Sequence, residues 1–123
     1  PPGCVHALPI EQLRQPGVTF FSAWHDDRLA AVGAIRMLDP VRGELKSMRA
    51  HPDYRSKGAG KAMLRHLIAV ARTRGCTWLG LETGLSEAYI PARGLYTAHG
   101  FTPCPPFGSY VDDGFSICME RRL

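Results

Sequence analysis

Two glycines, Gly58 and Gly60, stand where a strand-like segment gives way to a helix-like one. Their bare backbone N–H groups lie close together at the start of the helix, where the helix dipole and the unpaired amides favour negative charge. Arg55, Lys57 and Lys61 add three cations around these amides. This arrangement predicts a binding site for phosphate, and more specifically for the pyrophosphate of a phosphorylated cofactor.

Two better-known phosphate motifs do not fit this loop. A Walker A loop requires Gly-x-x-x-x-Gly-Lys-[Ser/Thr], but Arg55 stands at its first position and Ala62 at its last. The dinucleotide pattern Gly-x-Gly-x-x-Gly fails because Met63 takes the place of the third glycine. The sequence contains Arg-x-x-Gly-x-Gly instead, formed by Arg55, Gly58 and Gly60. A Mg-nucleotide site is therefore disfavoured.

The segments before the loop must position it. Residues 1–9 contain three prolines and predict an irregular lead-in, and Ile10–Gln15 predicts a short helix that Pro16 and Gly17 end. Three apolar segments rich in strand-forming residues follow, separated by turn residues. They predict an antiparallel meander of three strands: Val18–Trp24, Leu29–Leu38 and Glu44–Ala50.

After the loop, the periodicity of the apolar residues changes from that of a strand to that of a helix. Apolar residues repeat at helical spacing from 59 to 74, and Gly75 ends the segment. Trp78–Thr83 then predicts a buried strand parallel to 44–50, because a strand–helix–strand unit makes a right-handed crossover. Two more elements complete the predicted α/β order: a helix over 91–99 and an antiparallel strand over Phe115–Arg122, with Phe115, Ile117 and Met119 on its apolar side.

Length, composition and charge restrict the function classes. A chain of 123 residues with 45% hydrophobic content supports one compact domain. No run of eighteen apolar residues predicts a membrane span. The net charge of +4 suits an anionic cofactor, and no aromatic-plus-basic platform points to nucleic acid. The four cysteines form no C-x-x-C pair and the five histidines lack metal-ligand spacing, so we expect free thiols in a reducing cytoplasm and no metal.

The pattern of Arg55, Gly58 and Gly60 resembles the acetyl-CoA pyrophosphate loop of the GNAT superfamily of N-acetyltransferases. A second segment, at residues 92–101, resembles the A-x-x-L-Y-x-x-x-G-F helix of the same family, and Tyr96 is its tyrosine. The resemblance implies an enzyme that moves an acetyl group directly from acetyl-CoA, as co-substrate, to an amine. The run from Glu44 to Arg49 looks like a bacterial subgroup that acts on small molecules.

The order of the predicted elements resembles the GNAT fold from its second strand onward. That fold has a mixed, mostly antiparallel sheet with a central parallel βαβ crossover. The resemblance covers residues 18–123, which we expect to form a single acetyltransferase domain. It implies that residues 1–17 are a lead-in and the remnant of a helical region, and that the usual first strand is absent.

In GNAT enzymes the acetyl-CoA arm lies in a gap where two parallel strands splay apart. The equivalent backbone here is Met48, Arg49 and Ala50, with the Met48 N–H facing the acetyl oxygen; such donors can contribute roughly 3–4 kcal/mol at the transition state. Ordinary ladder hydrogen bonding is the alternative. The loop residues that the resemblance assigns to the pyrophosphate are Arg55, Ser56, Lys57, Gly58, Ala59, Gly60 and Lys61.

Glu44 is the candidate catalytic base. It lies fourteen residues before Gly58, the distance at which some histone acetyltransferases of the family place their catalytic glutamate. Glu82, at the end of the next parallel strand, and a water chain are the competing candidates. The non-catalytic alternative is that Glu44 is a solvated residue at the start of its strand or forms an ion pair with Lys46.

Tyr96 is the candidate acid, because the family's tyrosine hydroxyl commonly lies near the cofactor sulfur. A phenol, whose ordinary pKa is about 10, can supply a proton to a departing thiolate. Packing alone is the alternative for Tyr96. The acceptor side is expected to draw on the loop 103–114, where Tyr110, Asp112 and Asp113 could receive an amine or form a plain surface turn. Arg93 could bind a phosphate or an acidic acceptor, or lie on a solvated helix face.

Two matters stay open at the level of sequence. A catalytically silent acyl-CoA-binding module would keep Arg55, Gly58 and Gly60 while lacking acid–base function. The chain could also act as a monomer or as a homodimer, since nothing in the sequence distinguishes these assemblies.

Overall fold

The computed structural model describes the backbone of residues 4–7 and, in full, residues 17–55 and 57–123. The predicted helix Ile10–Gln15 lies outside these residues. The strands, in chain order, are β1 Cys4–Ala7, β2 Val18–His25, β3 Arg28–Asp39, β4 Arg42–Ala50, β5 Trp78–Gly84, β6 Thr102–Cys104 and β7 Ser116–Arg122. The helices are α1 Ala59–Thr73 and α2 Ile90–Ala98, with short 3-10 helices at Pro52–Tyr54 and Glu87–Tyr89.

The strands form one sheet in the order β1-β2-β3-β4-β5-β7-β6. The meander of β2, β3 and β4 is antiparallel, β4 and β5 are parallel, and β7 pairs antiparallel with both β5 and β6. The predicted mixed sheet with one central parallel crossover is therefore confirmed. A two-residue turn joins β2 to β3 with Asp26 at a φ of 55°, a left-handed conformation that aspartate tolerates.

Helix α1 crosses one face of the sheet and buries its apolar side there. Met63, Leu64 and Leu67 are fully buried in this layer, and burying side chains of this kind stabilises the fold by about 1.5–3 kcal/mol each. Gly33 of β3 allows the close approach, because a Cβ on it would lie 2.9 Å from both Met63 and Leu67. This packing fixes the start of α1 beside the carboxyl end of β4.

Three details differ from the sequence prediction. Residues 4–7 form β1, which pairs with β2 at the edge of the sheet. The expected absence of the first strand is therefore wrong, and so is the irregular lead-in expected over 1–9 for these four residues. The first two residues of the loop expected over 103–114 belong to β6. This strand was not predicted because Pro103 argues against a strand. Phe115 precedes β7 and is 81% exposed, so its assignment to the apolar side of that strand is wrong. β1 and β6 are only four and three residues long, too short to show a clear period of two.

Neither α1 nor α2, the α-helices of the described residues, is long and apolar enough to cross a membrane.

Candidate active site

The loop between β4 and α1 ends in an N-cap residue that has no side chain. Gly58 is the N-cap residue and has a φ of 86°, a left-handed conformation that favours glycine, and its lack of a side chain leaves no cap hydrogen bond. The Ala62 N–H makes the first helical hydrogen bond, to the Gly58 carbonyl at 2.9 Å. The amides of Ala59, Gly60 and Lys61 precede that bond and have no acceptor within the helix.

The cationic side chains of the predicted loop extend into solvent. The side chains of Arg55, Lys57 and Lys61 are exposed, and the Lys57 ammonium lies 6.0 Å from the ring centroid of Tyr54. A Cβ on Gly60 would meet only Leu95, at 3.6 Å, so the backbone there is open to a ligand. Ser56, the remaining residue of the predicted loop, lies outside the described residues.

The parallel strands β4 and β5 part directly after Glu44 and Leu45. The last paired residues are Leu45 and Leu81, although β4 continues to Ala50. On the other side of β4, the register with β3 shifts between Lys46 and Arg49, and Ser47 has a φ of 57°. This is a β-bulge, which leaves residues of one strand outside the ladder.

Met48 lies inside that bulge. Within the described strands it has a residue partner in neither β3 nor β5, whereas Arg49 and Ala50 pair with β3 on one side only. The Met48 side chain packs toward α1, since a Cβ on Gly33 would lie 3.0 Å from its sulfur. The backbone in this gap is therefore available for a ligand that lies along β4.

Glu44 lies at the closed end of the same gap, on the face away from α1. Its side chain is 2% exposed. The Tyr110 hydroxyl donates a hydrogen bond to Glu44 Oε2, and the Lys46 ammonium lies 3.8 Å from the same oxygen. Lys46 Nζ also donates to the Tyr110 oxygen at 3.4 Å. The three side chains form one connected polar network.

Tyr96 projects from α2 into the core. It is 6% exposed, and its ring contacts Phe101 edge-to-face with 5.9 Å between centroids. Burial raises the pKa of Tyr96 to about 12, so the phenol keeps its proton at neutral pH. Its hydroxyl makes no side-chain hydrogen bond within the described residues, which leaves it free to donate to a ligand.

A sequence profile of the acetyltransferase (GNAT) family matches residues 3–101. The chain belongs to this family. It is 46% identical over 123 residues to the uncharacterized N-acetyltransferase YsnE of Bacillus subtilis (strain 168), and the match covers 100% of this chain and 82% of YsnE. It is 44% identical over 123 residues to the uncharacterized N-acetyltransferase YedL of Escherichia coli (strain K12), covering 100% of this chain and 77% of YedL.

The fold agrees with that assignment. A solved GNAT family acetyltransferase from Elizabethkingia anophelis with acetyl-CoA bound has a TM-score of 0.78 and 16% identity, and the match covers 99% of each chain. The resemblance that rested on Arg55, Gly58, Gly60 and Tyr96 is confirmed at the level of family and fold. The chain is an acyltransferase of the GNAT family, and the family implies acetyl-CoA as the acyl donor. The roles of individual residues stay predictions.

Glu82, the competing carboxylate, lies in a different environment from Glu44. It is exposed, and its Oε2 accepts a hydrogen bond from the Ser116 hydroxyl at 3.0 Å. Ser116 also contacts Asp113 Oδ1 at 3.3 Å. Glu82 therefore faces solvent at the far end of β5, whereas Glu44 faces the enclosed polar network.

Sequence reasoning placed Tyr110 in the acceptor loop but not in contact with Glu44. The contact depends on Phe107, whose ring packs perpendicular to Trp78 at 5.1 Å and perpendicular to Tyr110 at 5.4 Å. Gly80, the parallel partner of Glu44, leaves space for that ring, because a Cβ there would lie 2.8 Å from Phe107 Cζ. A turn closed by the Tyr110 N–H and the Phe107 carbonyl, at 3.1 Å, then directs Tyr110 to Glu44.

The electrostatics of Tyr110 follow from this position. Burial and, after it, the hydrogen bond to the Glu44 carboxylate raise the pKa of Tyr110 well above the ordinary value for a phenol. The hydroxyl is therefore protonated at any physiological pH and acts as a donor to Glu44. The segment Pro-Phe-Gly-Ser-Tyr could have indicated the turn, but only the folded sheet brings it to residue 44.

The remaining candidates have structural partners. The Arg93 guanidinium donates to the Gly84 carbonyl at 2.6 Å and to the Ser86 carbonyl at 3.3 Å, which ties α2 to the end of β5. Asp113 accepts the backbone N–H groups of Phe115 at 2.8 Å and Ser116 at 3.2 Å, and these bonds lower its pKa. The turn interpretation of Asp113 is the one these contacts favour. Among the described residues, no group of three or more His, Cys, Asp or Glu side chains has the arrangement of a metal site.

Proposed function

We propose that this GNAT acyltransferase transfers an acetyl group from acetyl-CoA directly to the amine of a small molecule. The observation that carries the proposal is that β4 and β5 part beside Glu44, so that free strand backbone and a buried carboxylate lie at one point. Metal is not required by this chemistry, because a thioester is already an activated acyl group.

The pyrophosphate of the donor would bind the amides of Ala59, Gly60 and Lys61. These amides have no acceptor within α1, the N-cap residue Gly58 has no side chain to cap them, and the side chains of Arg55 and Lys57 in the same loop are exposed. The pantetheine arm would then run along β4 toward the bulge. There the Met48 N–H would bond the acetyl oxygen, where negative charge develops as the amine attacks.

Glu44 would serve as the base and Tyr96 as the acid. Glu44 accepts the proton that leaves the amine, and the amine nitrogen forms its bond to the acetyl carbon as the carbon–sulfur bond breaks. Tyr96 is protonated at neutral pH because burial raises its pKa to about 12, and it would donate to the departing thiolate.

A small acceptor is favoured by the surroundings of Glu44. The carboxylate is 2% exposed, and Tyr110, packed against Phe107, lies over it. A single amine on a slender substituent could approach such a site, whereas a broad folded surface could not bring its backbone close to it.

The test measures release of free CoA thiol from acetyl-CoA in the presence of a panel of small amines. We expect saturable turnover with at least one amine, and we expect Tyr96→Phe to lower kcat roughly 10²-fold with little change in acetyl-CoA affinity. Tyr89→Phe is the matched control, because Tyr89 is 46% exposed.

Two results would argue against the proposal. If acetyl-CoA protects the protein against heating but no amine causes thiol release, the chain is a silent acyl-CoA-binding module instead. If turnover occurs and Tyr96→Phe retains the full rate, the transfer stands and the acid must be another group.

A further inference from the structure

The base that the proposed function assigns is in direct contact with one tyrosine side chain. Glu44 is 2% exposed, and the Tyr110 hydroxyl donates to its Oε2. Tyr110 itself is only half-buried. An amine that arrives from the face away from α1 therefore meets the Tyr110 oxygen before it can reach the carboxylate.

The position of Tyr110 is held by packing as well as by that hydrogen bond. Trp78 and Phe107 together fill the space above Gly80, and the turn from Phe107 to Tyr110 places the hydroxyl at Glu44. The Phe107 ring in turn contacts both Trp78 and the Tyr110 ring. A contact supported from several sides in this way is present before any acceptor binds.

Lys46 orients the same hydroxyl. Its ammonium donates to the Tyr110 oxygen at 3.4 Å and lies 3.8 Å from Glu44 Oε2. With a cation donating to its oxygen, the phenol directs its own proton to the carboxylate. The hydroxyl of the half-buried Tyr110 thus connects the edge of the site to a buried carboxylate.

We infer that Tyr110 is a catalytic residue that receives the proton of the acceptor amine and passes its own proton to Glu44. This inference rests on the proposed function. The acceptor occupies the side of the Tyr110 oxygen that faces solvent, and it carries its amine on a substituent narrow enough to pass Phe107.

The step balances without any further reactant. The acceptor ammonium gives one proton to the Tyr110 oxygen while the Tyr110 hydroxyl proton moves to Glu44 Oε2. The amine becomes neutral with a free electron pair, Glu44 becomes a carboxylic acid, and Tyr110 ends as the phenol it was. The amine can then attack the acetyl carbon. The second proton that its nitrogen loses on becoming an amide balances the proton that Tyr96 gives to the departing thiolate, so Tyr96 also ends as a phenol.

The experiment compares Tyr110→Phe with the wild type using two acceptors. One acceptor is an amine that is protonated at the assay pH. The other is an amine whose pKa is low enough that it is neutral at that pH but which is still nucleophilic enough to attack the thioester. With the protonated amine we expect kcat to fall about 10²-fold. With the neutral amine we expect the loss to shrink to roughly threefold, because no proton then has to leave before attack.

A purely structural role for Tyr110 would lower both rates equally, and that outcome would overturn the inference. Tyr89→Phe, which removes an exposed hydroxyl, controls for the chemical change and should leave both rates unaltered. Circular dichroism and acetyl-CoA affinity show whether the Tyr110→Phe variant is folded.

The double variant Glu44→Gln/Tyr110→Phe provides a second test. It compares kcat among variants, so it does not depend on whether Tyr110→Phe alone is less stable than the wild type. If the two residues act in sequence, the double variant is no slower than Glu44→Gln alone, since residues of one network are not additive. Multiplied losses would contradict the path. A wild type that turns over no amine would refute the proposed function, whereas a Tyr110→Phe variant that matches an active wild type would refute only the relay.

Discussion

The candidate cofactor site at the start of α1 consists of backbone amides that have no acceptor within the helix. The candidate acceptor site beside β4 consists instead of side chains that already contact one another. Gly58 and Gly60 leave the first region open. Glu44, Lys46 and Tyr110 fill the second. Backbone can bind a phosphate with many different neighbours, but a proton path requires particular side chains at particular distances. Substitutions should therefore change affinity in the first region and rate in the second.

The largest effect is expected at Glu44. Glu44→Gln should lower kcat about 10³-fold, because the amide cannot accept the acceptor's proton, while acetyl-CoA affinity stays near that of the wild type. Steady-state kinetics and a binding isotherm separate the two quantities. The same change at Glu82, an exposed carboxylate that contacts Ser116, should cost little rate. The reverse ranking of the two variants would assign the base to Glu82.

The next effect tests the other region. Gly60→Val should weaken acetyl-CoA binding on the order of 10- to 100-fold, or about 1.4–2.8 kcal/mol, because a side chain would stand where the pyrophosphate approaches the amides. Gly94→Val is the control, since Gly94 lies in α2 with open space around it and bears the same cost of valine in a helix. Equal affinity in the two variants would remove the loop assignment.

Gly80→Ala tests whether the contact between Tyr110 and Glu44 depends on the packing of Phe107 and Trp78 against Gly80. A methyl group there would lie 2.8 Å from both Phe107 Cζ and Trp78 Cζ3, so the rings must move. We expect a loss of about 1–3 kcal/mol in the free energy of unfolding, and a lower kcat as Tyr110 leaves Glu44. Urea unfolding checks the first and thiol release the second, with Gly94→Ala as the exposed control. Unchanged kcat would show that Tyr110 reaches Glu44 without the packing of Phe107 and Trp78 against Gly80.

The smallest effect concerns Tyr96 and pH. Unfolded Tyr96 loses its proton near pH 10, whereas the folded residue keeps it to about pH 12. Between these values the unfolded state binds fewer protons, so the free energy of unfolding falls as pH rises. Between pH 9 and pH 11 the free energy of unfolding of Tyr96→Phe should therefore fall by about 1 kcal/mol less than that of the wild type. Identical losses in urea titrations at the two pH values would mean that Tyr96 is not desolvated.

Much of the order of elements could be predicted from the sequence, because long amphipathic segments carry their own periodicity. The apolar stripe of α1, with Met63 and Leu67 on it, predicted a helix that the structure confirms. The short edge strands β1 and β6 could not be predicted in the same way. Their hydrogen bonds come from neighbouring strands, and Pro103 in β6 argued against a strand.

The β-bulge at Ser47 was equally hidden. No residue in the run from Glu44 to Ala50 requires a positive φ, and serine adopts one rarely. The bulge exists because β3 and β4 pair on both sides of it in different registers. Register belongs to two strands at once, so the sequence of one strand does not determine it.

The sequence by itself determined the family and predicted the phosphate loop, because Arg55, Gly58 and Gly60 are neighbours in the chain and their chemistry depends on local backbone conformation. Tertiary structure alone decided what surrounds Glu44. Tyr110 lies 66 residues away in the sequence. It contacts the carboxylate only because the crossover places β5 beside β4, Gly80 leaves room for Phe107, and the β6–β7 loop folds back over the sheet. A contact across that separation results from the packing of several elements, which no single segment of the sequence encodes.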